Sequence, residues 1–265
     1  MSKVYGLVLI GCGHIGAVHL EDIYFRENIR LIGVVDTNEN VAQMFMKKYG
    51  AQSYSTSYKQ YLDDENVDIV IIATYVSTHL KILKDCTEKG KHVLCEKPIA
   101  GNYKDALNFV ECVKNAKSKV LIGHILRHNE SYHKIAAMIE EDLIGKPIVM
   151  RMVQNHHTMN WDRYKKLLED CSPIVDCGVH YVDVMQWFTK AKVVSVSGMG
   201  ARLDYDIDEK NYNYGMIQAK LSDGSIAYYE AGWSNSTASE NVKEFIGPKG
   251  RIKLVLSAER STHKE

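Results

Sequence analysis

The fold of this chain is decided near its start, where residues 4–16 read Val-Tyr-Gly-Leu-Val-Leu-Ile-Gly-Cys-Gly-His-Ile-Gly. The apolar first half predicts a buried strand, and a helix-like segment follows the last glycine. In the spacing G-x-G-x-x-G, Gly11 permits a tight turn, Gly13 lets the backbone approach phosphates, and Gly16 lets helix and strand pack closely. The pattern predicts a dinucleotide site with the pyrophosphate at a helix N-terminus.

A second predicted strand supports the dinucleotide site. The glycine spacing alone is weak evidence for such a site. Residues 31–35 form an apolar run that ends at Asp36, about twenty residues after the last glycine. A carboxylate there accepts hydrogen bonds from the adenosine ribose and repels a 2′-phosphate. The next residues, Thr37-Asn38-Glu39, offer no cation for such a phosphate, which favours NAD over NADP. The alternative is that Asp36 only caps a helix over 38–48.

The composition is that of a globular protein. The chain has 265 residues, 45% hydrophobic and 25% charged, which is enough for two domains. Lys+Arg and Asp+Glu number 33 each, so nothing indicates a nucleic-acid surface, and no apolar run is long enough to span a membrane. The first strand follows Met1-Ser2-Lys3 directly, which leaves no room for a signal peptide. Six cysteines without a C-x-x-C pair favour reduced thiols, so we expect a cytoplasmic protein.

Strand and helix patterns alternate as far as residue 122 and then change. Residues 1–122 predict a Rossmann domain, a doubly wound parallel sheet with right-handed crossovers. Residues 123–265 begin with helical segments, and short links join their later β-type runs. An α+β domain on a mostly antiparallel sheet is therefore expected there, with β-type runs at 191–200, 212–221, 225–233 and 242–255.

The turn Glu96-Lys97-Pro98 follows the fifth predicted strand and places an ammonium at the carboxyl edge of the parallel sheet. Ligands of open α/β sheets bind at that edge, where we expect the nicotinamide end of a dinucleotide. The proline holds its neighbour extended and permits a cis bond, which would fix the direction of Lys97. The alternative is a solvated lysine in an ordinary turn.

A buried helix is predicted from Pro173 to about Phe188, because its residues are apolar nearly all round. Its polar residues Asp176, His180 and Asp183 have the spacing i, i+4 and i+7 and share one stripe. A carboxylate one turn from an imidazole orients the ring and raises its basicity, so His180 is a candidate general base. The alternative is a core histidine that is hydrogen-bonded between two aspartates.

The cysteines and histidines between residues 156 and 180 are the candidate ligands for a metal site. Their spacings match none of the usual closed zinc patterns, and Cys177 points about 100° away from Asp176 on a helix. We therefore predict no metal. The residues considered are Cys171, Cys177, His156, His157 and His180.

These motifs together resemble the glucose–fructose oxidoreductase / inositol dehydrogenase / MocA (Gfo/Idh/MocA) family of NAD(P)-dependent sugar and cyclitol dehydrogenases. The resemblance runs from the glycine turn through Asp36, Glu96-Lys97-Pro98 and Arg127 to the pattern Asp176-x-Gly178-x-His180-x-x-Asp183. It implies that Lys97, Asp176 and His180 form the catalytic group. It also implies a cofactor cleft that includes Gly11, Gly13, His14, Ile15, Gly16, Asp36, Thr37, Thr74, His79, Glu96 and Lys97.

The resemblance implies hydride transfer between a secondary alcohol of a sugar or cyclitol and NAD. His180 would take the alcohol proton, Asp176 would orient the imidazole, and Lys97 would hydrogen-bond the reacting oxygen. Family members often pair through the second sheet, so a homo-oligomer is expected. The implied substrate wall includes Lys97, Arg127, Asn155, His157, Asp176, His180 and Trp233, of which Asn155, His157 and Trp233 are placed by position only.

Departures from the family pattern concern the substrate and the end of the chain. Tyr75 replaces a proline after the fourth strand, and Cys171-Ser172-Pro173 replaces a glycine-rich run, so we expect a different pocket floor. The chain ends soon after a strand matching Arg251 to Leu256, so we expect a short form or a partner that covers the sheet edge. The rival functions are an NAD-binding regulator without turnover and an NAD-dependent glycoside hydrolase.

Overall fold

The computed structural model of the chain describes residues 3–158 and 160–255. The chain folds into two compact units, Met1–Gly123 and His124–Glu265. Among the described residues, hydrophobic side chains form two buried clusters in the first unit and one in the second. None of the helices within the described residues is long and apolar enough to cross a membrane.

Strands and helices alternate along the first unit. They are β1 (Tyr5–Ile10), α1 (His14–Ile23), β2 (Ile29–Val35), α2 (Glu39–Tyr49), β3 (Ser53–Ser55), α3 (Lys59–Leu62), β4 (Ile69–Ile72), α4 (Val76–Glu88), β5 (His92–Cys95), α5 (Tyr103–Asn115) and β6 (Val120–Ile122). The strand order is β3-β2-β1-β4-β5-β6, and every described pair is parallel. The predicted doubly wound Rossmann sheet is therefore confirmed.

Strand β1 lies in the middle of this sheet, and its side chains are buried on both faces. Leu7 and Leu9 pack in one cluster with residues of α1 and α2, whereas Val8 and Ile10 pack in the other with residues of α4 and α5. A continuous apolar run is typical of such a doubly covered strand. The glycine turn follows β1 at the carboxyl edge of the sheet, beside β4. The strand order reverses between β1 and β4, and ligands of open sheets bind at such a point.

The second unit begins with a 3₁₀ turn, Ile125–His128, and joins helices to a second sheet. Its elements are α6 (Glu130–Glu140), β7 (Val149–His157), α7 (Trp161–Asp170), α8 (Pro173–Asp176), α9 (Gly178–Thr189), β8 (Val193–Ala201), β9 (Tyr214–Leu221), β10 (Ile226–Ser234), β11 (Glu240–Gly247) and β12 (Gly250–Leu254). The strand order is β12-β11-β7-β10-β9-β8.

One central pair of this sheet is parallel. Strand β10 runs parallel to β7, from Ile226 opposite Val149 to Ser234 opposite His157, whereas the other described pairs are antiparallel. Three helices separate β7 from the later strands along the chain, which is enough connection for parallel pairing. The sheet is therefore mixed but mostly antiparallel, as the predicted fold class states.

Lys243 of β11 is buried in the second unit, with 1% of its surface exposed. Its ammonium donates to the backbone oxygens of Val153 and Val242 at 2.8 and 3.1 Å and to Asn241 Oδ1 at 2.6 Å. It also lies 4.4 Å from the centroid of the Tyr181 ring. These contacts satisfy the ammonium donors, but burial still lowers the pKa of Lys243 to about 7.

We expect the free energy of unfolding to rise between about pH 7 and pH 8, and Lys243→Met to remove this rise. The unfolded lysine keeps its proton until about pH 10.4, whereas the folded lysine loses it near pH 7, so the unfolded state binds more protons in this window. One proton gives a slope of at most about 1.4 kcal/mol per pH unit. Urea unfolding at several pH values below the range of cysteine titration measures both slopes. Equal slopes would show that the folded lysine keeps an ordinary pKa.

Candidate functional site

Three glycines shape the turn after β1, each in a different way. Gly11 has φ +98°, and a Cβ there would lie 2.3 Å from the backbone oxygen of Ala73. A Cβ on Gly16 would lie 2.1 Å from the backbone oxygen of Gly11. A Cβ on Gly13 would meet no described atom within 4 Å. Packing inside the unit therefore requires the first and third glycines, whereas the second leaves space through which a phosphate can approach the backbone.

Helix α1 begins directly after this turn, with Gly13 as its N-cap. No described side chain caps it, and its first turn contains no acidic residue. The N–H groups at a helix N-terminus carry a partial positive charge that attracts phosphate. His14 and Ile15 are exposed in this first turn. The residues present therefore fit the pyrophosphate of a dinucleotide.

Asp36 follows β2 and connects the glycine turn with the start of α2. Its Oδ2 accepts the Cys12 N–H at 3.0 Å, and its Oδ1 accepts the Asn38 N–H at 2.9 Å. The N-cap of α2 is the Asn38 side chain, so the alternative that Asp36 serves only as this cap is wrong. Each carboxylate oxygen has a second lone pair, which leaves acceptors for ribose hydroxyls beside the exposed Thr37.

His79 of α4 is fully buried, with 0% of its surface exposed. Its Nδ1 lies 3.0 Å from the Pro98 oxygen and its Nε2 lies 3.1 Å from the Thr74 oxygen, so the ring connects the segments after β4 and β5. The ring therefore supports the backbone of these two segments, and direct contact of His79 with the cofactor stays a prediction. Thr74 is half-buried, and its hydroxyl lies 2.7 Å from that of Thr78.

The Glu96-Lys97-Pro98 turn follows β5 and contains a cis peptide bond before the proline. Glu96 is buried; its Oε1 lies 2.8 Å from His19 Nε2, and its Oε2 accepts the Lys97 N–H at 3.1 Å. The Glu96 carboxylate therefore links α1 to the Glu96-Lys97-Pro98 turn. Its predicted contact with the cofactor stays a prediction. Sequence motifs did not indicate His19, since no spacing relates it to Glu96. The Lys97 side chain is half-buried.

The helix predicted from Pro173 to Phe188 is in fact two helices, α8 and α9, which meet at Cys177. Ser172 caps α8 through its side chain, and the proline lies in the first turn, as its sequence position predicts. Gly178 begins α9 against Tyr229 of β10, and a Cβ there would lie 2.9 Å from the tyrosine ring. Close packing on the sheet therefore accounts for a glycine at this position.

The polar residues Asp176, His180 and Asp183 are half-buried on these two helices. Asp183 accepts two hydrogen bonds from Arg127, from Nε at 2.7 Å and from Nη2 at 2.8 Å. This bidentate contact raises the pKa of the Arg127 guanidinium and holds the 3₁₀ turn to α9. The ring of His124 lies 6.1 Å from that of His180 between centroids, a neighbour that the motifs did not indicate.

The three residues assigned to the substrate wall by sequence position alone have different environments. Trp233 of β10 is buried in the core, where its ring packs 5.4 Å from that of Tyr164. Asn155 of β7 is buried and donates to Glu230 Oε1 at 2.7 Å. Asn155 lies opposite Gly232, the residue before Trp233 in β10. The side chains of Asn155 and Trp233 therefore point to opposite faces of the sheet. The two side chains do not lie side by side on one face, and the substrate-wall roles of Asn155, His157 and Trp233 stay predictions; His157 is exposed.

Metal ligands in proteins are usually clusters of His, Cys, Asp and Glu side chains. Among residues 3–158 and 160–255, no group of three such side chains could hold a metal ion. No disulfide joins the described cysteines either.

Several known proteins are similar to this chain. The myo-inositol 2-dehydrogenase of Thermotoga maritima is 24% identical over 246 residues, which cover 92% of this chain and 73% of the relative. The scyllo-inositol 2-dehydrogenase (NAD(+)) of Bacillus subtilis is 24% identical over 247 residues, which cover 92% and 72%. The crystal structure of myo-inositol 2-dehydrogenase from Lactobacillus plantarum has the same fold, with a TM-score of 0.87 at 23% identity over 95% of this chain and 76% of that one.

Both units match domains of one family. The GFO_IDH_MocA domain, an oxidoreductase family with an NAD-binding Rossmann fold, matches residues 5–124. The GFO/IDH/MocA C-terminal domain matches residues 132–253. The two matches follow each other in the family order and together span most of the chain. The chain therefore belongs to the GFO/IDH/MocA family of oxidoreductases, and its first unit is the NAD-binding Rossmann domain.

Proposed function

We propose that this chain is an NAD-dependent dehydrogenase that transfers a hydride between a secondary alcohol of a sugar or cyclitol and the cofactor. The observation that carries the proposal is the open approach to the turn at Gly13, between two glycines that packing requires. Family membership supports the oxidoreductase class. The names of the relatives, myo-inositol and scyllo-inositol dehydrogenases, support a polyol substrate.

In this proposal the first unit, residues 1–122 by sequence pattern, holds the cofactor. NAD supplies the nicotinamide ring that accepts the hydride. The N–H groups at the start of α1 bind the pyrophosphate, and Asp36 accepts hydrogen bonds from the ribose hydroxyls. Thr74, at the end of β4, lies at the carboxyl edge of the sheet, where the wall of the cofactor cleft is expected.

The chemical step is assigned to Lys97, Asp176 and His180. His180 accepts the proton of the alcohol hydroxyl, while the adjoining carbon gives its hydride to the cofactor and becomes a carbonyl. Asp176 orients the imidazole and stabilises its charged form. Lys97 donates a hydrogen bond to the reacting oxygen and offsets the negative charge that builds there. Residues 123–265 supply the substrate side of the reaction in this scheme.

An assay of the purified protein with NAD and a panel of inositols and sugars tests the proposal. We expect NADH absorbance to increase with at least one polyol. Calorimetric binding of NAD without NADH at any pH would instead identify the regulator. Release of free sugar from a glycoside without net NADH would identify the glycoside hydrolase. A chain that binds no NAD would contradict all three functions.

Asp36→Ala is expected to weaken NAD binding by about tenfold and to reduce discrimination against NADP. The variant loses the acceptor for the ribose hydroxyls together with the negative charge that repels a 2′-phosphate. Asp36→Asn is the matched control, because its amide oxygen can still accept the Cys12 N–H while the charge is absent. Calorimetric titration with both cofactors measures the ratio of their affinities. An unchanged ratio in both variants would remove Asp36 from the ribose site.

We also infer a homo-oligomer that forms through the second sheet. Val149, Ile226 and Ile246 are exposed, and they are direct cross-strand neighbours on β7, β10 and β11. A contiguous apolar patch of this kind is typical of a protein interface. Sedimentation velocity measures the oligomeric state, and a monomer at micromolar concentration would contradict the inference.

The cysteine chemistry supports a cytoplasmic location in the same proposal. Burial raises the pKa of the Cys12 and Cys86 thiols to about 12, so both stay protonated at neutral pH. All six cysteines are free, and reduced cysteines are usual in a reducing compartment. Fractionation of cells that produce the protein would test the location.

A further inference from the structure

A contact between α1 and the lysine turn has no part in the roles assigned so far. His19 Nε2 lies 2.8 Å from Glu96 Oε1, and the two side chains are only 19% and 9% exposed. His19 belongs to the helix whose N-terminus is assigned to the pyrophosphate. Glu96 directly precedes Lys97, so the contact joins the nucleotide helix to the turn that carries the proposed catalytic lysine.

The Glu96 carboxylate is held from other directions as well. Its Oε2 accepts the Lys97 N–H at 3.1 Å. A Cβ on Gly123, directly after β6, would lie 2.8 Å from Oε1, so the backbone packs closely against the carboxylate. A carboxylate enclosed in this way cannot rotate without displacing a neighbour. Its orientation therefore depends on His19 and on the backbone around it.

The other side of the lysine is anchored too. The Pro98 oxygen lies 3.0 Å from Nδ1 of the buried His79. Lys97 thus lies between one residue held to α1 and another held to α4. Removing the His19 ring leaves a buried carboxylate without this donor, which is unfavourable unless the carboxylate moves. Because the Lys97 N–H is bonded to the same carboxylate, the turn is expected to move with it.

We propose that His19 and Glu96 are positioning residues that set the direction of the Lys97 side chain. This role rests on the proposed function, because the direction of the ammonium matters when it contacts the reacting oxygen. In this role His19 acts through Glu96, and Glu96 acts through the backbone of Lys97. The pair also connects the helix that binds pyrophosphate with the residue that meets the substrate oxygen.

His19→Ala is expected to lower kcat by about tenfold or more, because misplacement of a catalytic group by ~1 Å can cost about 10²-fold. NAD affinity should stay within about threefold of the wild type, since His19 lies outside the first turn of α1. His19→Gln should retain most of the activity, because its amide can still donate to Glu96. Asp22→Ala, an exposed position on the same helix, serves as the control and should leave kcat unchanged.

Hydrogen exchange of the Lys97 amide gives a second readout that needs no turnover. Exchange should become faster in His19→Ala and return toward the wild-type rate in His19→Gln, while the amides of β4 stay unchanged. If the wild type shows no dehydrogenase activity, this exchange still decides whether His19 anchors the turn, so the two proposals can fail separately. Unchanged kcat or unchanged exchange in His19→Ala would overturn the inference. Equal loss of NAD affinity in the Ala and Gln variants would do so as well, since it would indicate a role in the helix itself.

Discussion

His180→Ala is expected to lower turnover by roughly 10²–10⁴-fold while NAD affinity stays within about threefold of the wild type. The imidazole is assigned to the alcohol proton, whereas the groups assigned to NAD belong to the first unit. His180 is half-buried on α9, four residues after Asp176 in the chain. Steady-state kinetics with a polyol and calorimetric titration with NAD measure the two effects separately.

His128→Ala provides a matched control for this prediction. His128 belongs to the same unit, in the 3₁₀ turn, and its side chain is exposed. Its removal should change neither turnover nor cofactor affinity. If His180→Ala lost turnover and NAD affinity to the same extent, the residue would be a structural histidine, and the assignment of the general base would be wrong.

Two alanine substitutions in the glycine turn are expected to affect different properties. Gly11→Ala should lower stability, whereas Gly13→Ala should weaken NAD binding. Gly11→Ala should destabilise the protein by about 3 kcal/mol or more, because φ is +98° and the new Cβ would lie 2.3 Å from the Ala73 oxygen. Gly13→Ala should leave the free energy of unfolding within about 0.5 kcal/mol, because its Cβ meets no described atom within 4 Å and its φ is −87°. The same Cβ should weaken NAD binding by about tenfold or more, because it fills the space in front of the turn.

Urea unfolding and calorimetric titration on both variants separate stability from cofactor binding. A Gly13→Ala variant that binds NAD with wild-type affinity would remove the pyrophosphate from this turn. A Gly11→Ala variant of wild-type stability would show that the turn does not have the left-handed conformation found here. The pair therefore tests the two parts of the glycine motif independently.

Local signals in the sequence are sufficient to predict the first unit. The apolar run of β1 and the three glycines lie within residues 5–16, and each depends on its chain neighbours. A glycine at φ +98° is required by a turn of a few residues, so the spacing alone predicts it. The strand that ends at Asp36 is a similarly local pattern. The fold of this unit and the position of the glycine turn could therefore be predicted from the sequence.

Contacts between distant segments could not be predicted in this way. Strands β7 and β10 come from distant parts of the chain, so sequence position did not reveal that Trp233 enters the core while Asn155, on the adjacent strand, takes the other face. The His19–Glu96 contact joins residues 77 positions apart, and no motif relates them. The buried state of His79 follows from helix packing on the sheet, which its position after β4 does not specify.

The two hydrogen bonds of Asp36 have a consequence for redesigning cofactor preference. Because Oδ2 accepts the amide of Cys12 inside the glycine turn, one side chain links the proposed ribose site to the proposed phosphate site. Deleting the acid to admit NADP would also remove this hydrogen bond to the turn. A redesign that keeps an acceptor at position 36, as asparagine or serine, and adds arginine in place of Thr37 would alter the charge and leave the turn anchored.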